Sequence, residues 1–230
     1  MATSIWTPAV EPLAARIAGA AAADADLVVA AACSPAALGR DLSGNGNHAW
    51  FTVAVAAAGP RPETSGLLLP GASSWYGTIP DSASLDQTRI TVEAWVSLRD
   101  YAANNGPYIL ARRETTGDKR VATLWVNTSG NPIFTCSLNG IAETSATGTT
   151  ALTLNTWYRL QGTFDGSNVK VYIDGVQNGA SAALVGNLFT TDRAIAIGRN
   201  AVSGSNNLNG ILAAYAVSKV ARSTFFLSQF

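Results

Sequence analysis

Hydrolysis of a glycosidic bond needs two carboxyl groups about 5 to 10 Å apart, most simply carried at alternate positions of one strand. The glutamates are Glu11, Glu63, Glu93, Glu114 and Glu143, and none has an acidic residue two positions away. Asp24 and Asp26 have that spacing but lie in an Ala-rich stretch. Glu93 stands two residues from Trp95. That pair reads either as an acid beside a sugar platform or as polar and aromatic groups on the outer face of a half-buried strand, the commoner arrangement. His48 is the only histidine, so a Ser-His-Asp triad would have to use it, and no Gly-x-Ser-x-Gly elbow accompanies it. One histidine excludes a His-rich metal site, and Cys33 and Cys136 are too few for a thiolate zinc site or a disulfide framework. Whether the two cysteines pair stays open. No Gly-Lys-Ser or Gly-Lys-Thr phosphate loop occurs. The reactive residue types therefore point to a protein that is not an enzyme.

Recognition without catalysis is better supplied. Pyranose C–H faces stack on aromatic rings, while the hydroxyls need fixed polar partners. Trp50, Trp75, Tyr76, Tyr101 and Trp125 fall near strand ends or loops, with Asn104, Asn105, Asn206 and Asn207 in polar loops. These five aromatics are the carbohydrate-binding candidates. The competing reading for any one of them is packing between sheets or under edge loops. Trp95 and Trp157, inside strong strand patterns, are assigned to structure.

Those side chains must be positioned by β structure. From Ile90 to Leu98, Ile90, Val92, Ala94, Val96 and Leu98 alternate with Thr91, Glu93, Trp95 and Ser97, so one face is a core face. Further strands are expected at residues 107–110, 121–126, 133–138, 157–164, 169–173, 194–197 and 211–217. Turns at Ser129-Gly130-Asn131-Pro132, Asp165-Gly166-Ser167-Asn168 and Asp174-Gly175 separate several of them. Residues 223–230 form a short apolar tail that docks. No strand alternates with a convincing helix, which disfavours a parallel α/β sheet. Ala is concentrated before Gly59, and residues 11–25 have helix propensity without an apparent apolar stripe at helical spacing. Residues 1–37 are expected to be an Ala-rich N-terminal arm or first strand region, and residues 38–230 the β sandwich.

Four segments in order carry a family resemblance. They are Asp41-Leu42-Ser43-Gly44-Asn45-Gly46-Asn47-His48, Thr91-Val92-Glu93-Ala94-Trp95-Val96, Asn155-Thr156-Trp157-Tyr158 leading to Val171-Tyr172-Ile173-Asp174-Gly175, and Ala196-Ile197-Gly198-Arg199. Over roughly residues 38 to 222 the chain resembles the laminin G-like domains of the concanavalin A-like lectin/glucanase superfamily. The resemblance implies an all-β jelly-roll sandwich of two antiparallel sheets, in agreement with the strand pattern. Two departures matter. The aromatic-containing strand that commonly precedes Asp-x-Ser-Gly is replaced by Leu27-Val28-Val29-Ala30-Ala31-Ala32-Cys33, which buries less. The adjacent acidic residues often found after the penultimate-strand glycine are replaced by Gly210-Ile211-Leu212-Ala213-Ala214. Relatives can use those acids with the Asp-x-Ser-Gly loop to hold calcium. Here only a weak calcium site on Asp41, Asn45 and backbone carbonyls remains, against the plainer reading of a turn stabilised by the Asp41 side chain. The Glu-x-Asp-x-x-Glu arrangement of the glucanase relatives is absent.

With 230 residues, 47% of them hydrophobic and 13% charged, the chain can bury a sizeable core. The fifteen basic and fifteen acidic residues cancel, which argues against a nucleic-acid partner. The apolar stretch around Ala18 to Ala37 is interrupted by Asp24, Asp26, Ser34 and Pro35, so no membrane insertion is expected. The first residues lack a basic start and Leu-rich run, which suggests synthesis in a cytoplasm without a signal peptide. Two functions are then compared. One is a structural or surface-display protein, such as a bacteriophage virion component (capsid decoration, fibre or tail module), docking on capsid or tail proteins through its N-terminal arm. The other is a lectin module that binds cell-surface glycan; a glycoside hydrolase ranks last. The apolar arm and exposed sheet edges are compatible with a homo-oligomer.

Overall fold

The computed structural model describes residues 12–34, 36–60, 65–102, 106–114, 119–200 and 202–230. In chain order the elements begin with helix α1 (Pro12–Ala21), β1 (Leu27–Ala32), β2 (Trp50–Phe51), β3 (Ala56–Ala58), β4 (Ser65–Pro70) and β5 (Gly77–Ile79). The long strands follow as β6 (Ile90–Asp100), β7 (Tyr108–Glu114), β8 (Lys119–Val126), β9 (Pro132–Cys136), β10 (Thr144–Thr147), β11 (Trp157–Phe164) and β12 (Asn168–Ile173). The last are β13 (Val176–Gln177), β14 (Ala182–Ala183), β15 (Ile195–Ile197) and β16 (Asn209–Ser218). One sheet runs β13-β12-β11-β6-β16-β4-β3, with β1 also on β16 and β14 on β12; the other runs β10-β9-β8-β7-β15-β5-β2. Every pairing is antiparallel. The two sheets face each other as the expected jelly-roll sandwich.

Turn chemistry explains the hairpins. Between Ile173 and Val176 only Asp174 (φ 52°) and Gly175 (φ 86°) intervene, the positive-φ pair that a two-residue turn requires. The Asp165 carboxylate accepts the N–H groups of Ser167 (2.8 Å) and Asn168 (2.7 Å), closing the preceding turn. The layer between the sheets is lined by Val92, Ala94, Val96, Leu124, Phe134, Leu160, Phe164 and Ile197, among others. At Gly162 a side chain would strike the Phe134 ring from the opposite sheet. Glycine there sets how closely the layers approach.

The strand β6 departs from the sequence expectation. Its alternation predicts one buried face, yet residues 90–98 are all buried. The second face is covered by a layer comprising Leu13, Ala14, Ile17 and Ala21 of α1, Trp95, Ala213, Ala214 and Ala216, and the C-terminal Phe226, Leu227 and Phe230. Residues 13, 17 and 21 are thus the helical stripe that the sequence reading missed, because its members are separated and followed by further alanines. Likewise β1, though aromatic-free, is buried at every position and pairs with the second half of β16. The apolar N-terminal segment therefore finds its partner surface, from residue 13 onward, on its own sandwich. Cys33 and Cys136 are both buried and do not pair with each other.

Glu93 sits in the middle of this added layer. It is 1% exposed, not solvent-facing, and its carboxylate accepts the N–H groups of Phe226 and Leu227, each at 2.9 Å. Those donors open the final 3-10 turn, Phe226–Gln229, so Glu93 ties the tail to β6. Burial pushes its pKa from the ordinary 4.5 up to about 7, opposed by the two N–H groups and by Arg222, which itself pairs with Asp24 at 2.8 Å.

Two outcomes test this architecture. A carboxyl whose folded pKa lies above its unfolded one favours folding in its protonated form. Its contribution is complete below about pH 4.5 and is lost as pH rises to about 7. Urea denaturation of Glu93→Gln should therefore lack a decline of up to about 3 kcal/mol that the parent shows across that window; equal slopes would refute the assignment. Gly162→Ala should lower stability by about 1–3 kcal/mol through overpacking against Phe134, and an unchanged midpoint would show that the layers can part without cost.

Candidate functional site

The outer face of the sheet that contains β2, β5 and β15 lacks the α1 and tail cover. Its β2 edge is built by parity. Phe51 turns inward against the core and lies across Gly77, where any side chain would collide with its ring. Alternation then sends Trp50 outward, opposite Thr78. Trp50 is 73% exposed. On β5 and the loop before it, Trp75 packs against the core, and Tyr76 falls on the same outward parity as Thr78. Thr52 donates its N–H to the Tyr76 carbonyl (3.0 Å) and accepts the Tyr76 N–H on its hydroxyl (3.2 Å), extending the pairing by one residue.

On the other side of β2 the chain doubles back. Ala49 donates its N–H to the Gly39 carbonyl at 2.7 Å, and Gly39 has φ 72° with no room for a side chain against Ala49. This close approach forms an open groove of about 380 Å³ lined by Leu38, Gly39, Arg40, His48, Ala49, Trp50 and Phe51. Arg40 and His48 are exposed. His48 Nδ1 accepts the Asp41 N–H at 3.0 Å, which assigns the proton of the neutral ring to Nε2. A planar apolar surface and outward donors thus share one groove.

The sequence candidates separate accordingly. Trp50 and Tyr76 come together on the β2–β5 edge, while Trp75 belongs largely to the core. Trp125 is half-buried, with Nε1 donating to Thr135 Oγ1 (3.1 Å) and Arg120 stacked 4.7 Å from its ring centre. Tyr101 is half-buried against the core, its ring over Gly130. Asn206 and Asn207 are buried, and Asn206 holds the Gly106 carbonyl at 2.9 Å, so neither is a surface hydrogen-bonding group. Asn104 and Asn105 lie outside the described residues. Arg40 and the groove were missed; the signal was Gly39, ten residues before Ala49, whose backbone it must approach.

The Asp41 loop lies beside this groove. Asp41 is 6% exposed, and its carboxylate accepts from Ala30 N (3.1 Å), Ser43 N (2.9 Å), Ser43 Oγ (2.9 Å) and Asn47 N (2.9 Å). Asn45 turns its amide nitrogen to the Leu27 carbonyl (2.9 Å) and Ser43 Oγ (3.0 Å). Calcium needs six to eight oxygens free to coordinate, and these residues do not fit it, because the carboxylate is already saturated by donors of its own loop. No cluster of three or more His, Cys, Asp or Glu occurs among the described residues. Asp24 pairs with Arg222 rather than facing another acid across a groove.

Asp41→Ala strands three buried or half-buried N–H groups and should cost about 2–4 kcal/mol. Calcium or a chelator should leave the parent's melting temperature where it is. A calcium-dependent rise, read by scanning calorimetry, would instead make Asp41 an ion ligand.

A search of curated proteins gave no match to the chain. Solved structures resemble it in fold. The binding domain of Paraclostridial Mosquitocidal Protein 1 superposes with TM-score 0.68 at 13% identity, covering 86% of this chain and 49% of that one. Domain 4 of AbnA, a GH43 extracellular arabinanase from Geobacillus stearothermophilus solved with arabinotriose, gives 0.66 at 15% identity, covering 88% and 96%. The ligand binding domain of botulinum neurotoxin serotype D, solved with N-acetylneuraminic acid, gives 0.67 at 14% identity, covering 91% and 52%. The chain spans about half the length of these toxin domains and nearly all of the arabinanase domain. The family model of laminin G type, described as the concanavalin A-like lectin/glucanases superfamily, matches residues 71–224. With more than half of its length matched and two antiparallel sheets in place, the chain belongs to the concanavalin A-like lectin/glucanase superfamily, as a laminin G-like member.

Proposed function

We propose that the chain is a non-enzymatic lectin-type module that binds glycan on the β2–β5 edge. The observation that carries this reading is Trp50, a tryptophan 73% exposed at the mouth of a groove with outward Arg40 and His48. An indole in that state leaves a large apolar face in water, and a sugar ring stacked on it would remove that face while its hydroxyls meet Arg40, His48 and the threonine hydroxyls beside it. The solved structures of similar fold add support: one was determined with arabinotriose and another with N-acetylneuraminic acid. The acids add to it as well, since Glu93 is enclosed under the tail and Asp24 is held by Arg222. The N-terminal arm through which a virion display module would dock packs Leu13, Ile17 and Ala21 on the chain's own sandwich.

A glycan array followed by calorimetric titration tests the proposal. Trp50→Ala should weaken binding about tenfold or more while moving the melting temperature by no more than about 2 °C. Trp75→Ala should instead lower the melting temperature, since that ring packs on the core. Absence of saturable binding to any glycan, or full affinity in Trp50→Ala, would overturn the reading.

A further inference from the structure

The charges around Trp50 are one-sided. Arg199, in the turn after β15, lays its guanidinium over the Tyr76 ring, with Cζ 3.2 Å from the ring centre. Its Nη1 reaches only the Ser73 carbonyl, at 3.4 Å, and its buried Nε has no hydrogen-bond partner. Arg40 is exposed on the groove and makes no ion pair among the described residues. Several arginines elsewhere pair with carboxylates: Arg112 with Asp81 and Asp86, Arg120 with Glu143, Arg159 with Asp174, and Arg222 with Asp24, while Arg16 and Arg89 lie over the Phe230 and Phe164 rings. In a molecule with equal numbers of basic and acidic residues, two cations without carboxylate partners among the described residues stand on the edge that carries the most exposed of the described tryptophans.

Backbone pairing places their segments on either side of Trp50. The Ala49 N–H points to the 38–40 segment, and the Thr52 N–H points to Tyr76 on the β5 side. Trp50 therefore lies between the segment bearing Arg40 and the strand whose Tyr76 carries Arg199. Stacking on tyrosine holds the guanidinium plane in one orientation, and a fixed planar fork matches the oxygens of a carboxylate or sulfate. A guanidinium is also weakly hydrated, so its partial desolvation under a ligand costs less than that of an ammonium.

Resting on the glycan-binding reading, we infer that this edge selects acidic saccharides: a sugar ring stacks on Trp50 while its carboxylate or sulfate is taken by Arg199 or Arg40. The carboxylate and sulfate sources share the same oxyanion chemistry and are separated by the probes.

The full chain is titrated with hexagalacturonate, a sulfated heparin-derived hexasaccharide, neutral maltohexaose and the strongest neutral glycan from the array. At least one acidic probe should bind about tenfold tighter than the neutral ones, and higher salt should weaken it. Whichever acidic probe wins identifies the oxyanion. Arg199→Gln should erode that preference several-fold with neutral binding unchanged, and Arg40→Gln should erode it while also weakening neutral binding, whereas Lys219→Gln, beyond the end of β16 in the other sheet, should leave both intact. Neutral glycan bound as well as or better than both acidic probes would overturn the charge selection and leave the lectin reading standing. Acidic binding that survives both arginine variants would overturn it equally. If no glycan binds at all, the lectin reading itself fails and this inference with it.

Discussion

A sandwich of two sheets leaves two outer faces to be dealt with, and in this chain both covering segments go to the same one. Helix α1 and the C-terminal turn close over Trp95 and Ala214, held by cation–π contact and hydrogen bonding of Arg16 with Phe230 and Gln229 and by Arg159 donating to the Ser228 carbonyl. At the centre of that cover is a carboxylate with two backbone donors, a buried polar group whose desolvation is offset by satisfying the otherwise orphaned N–H groups of a short helical turn. With that face closed, the sheet containing β2, β5 and β15 is the one with room for a partner. The location of the candidate site follows from where the chain spends its terminal segments.

The same economy governs the loop before β2. Asp41 gathers donors from Ala30, Ser43 and Asn47, and Asn47 in turn bonds Val28 and Ser84. Protein groups there satisfy the Asp41 carboxylate in full. The loop is therefore pinned to β1, and β1 is pinned to β16, so the groove below Trp50 is attached through hydrogen bonds to the centre of the opposite sheet. A binding edge on a rigid scaffold loses less conformational freedom when it takes a ligand.

The alternating pattern at residues 90–98 was enough to place β6 and the core between the sheets. What it hid was the third layer, because Trp95 and Glu93 are as consistent with a wet face as with one covered from afar. The cover is made of alanines and a few larger residues separated by the full chain length, and no local pattern links Leu13 to Phe226. The site was half legible for a similar reason. Aromatic residues near strand ends could be named, but whether Trp50 or Trp75 faces water depends on a one-residue parity set by Phe51 lying over Gly77, a tertiary contact. Asp41 was readable as a turn former, and its four donors explain why the turn reading describes it better than the ion reading.

An exposed tryptophan on an edge strand is an aggregation hazard in most folds, since an open row of N–H and C=O groups beside an apolar ring invites pairing with another chain. This chain keeps the ring and removes the row. The strand β2 is two residues long, and the outward N–H of Ala49 is taken by Gly39. The aromatic face is therefore offered with little strand edge to accompany it, and an arginine and a histidine share its groove with Leu38 and Phe51. A surface meant to dock on protein by strand addition would be built the other way round. Withholding the backbone while presenting the ring and unpaired cations is the arrangement that suits a soluble, polar, oxygen-rich ligand.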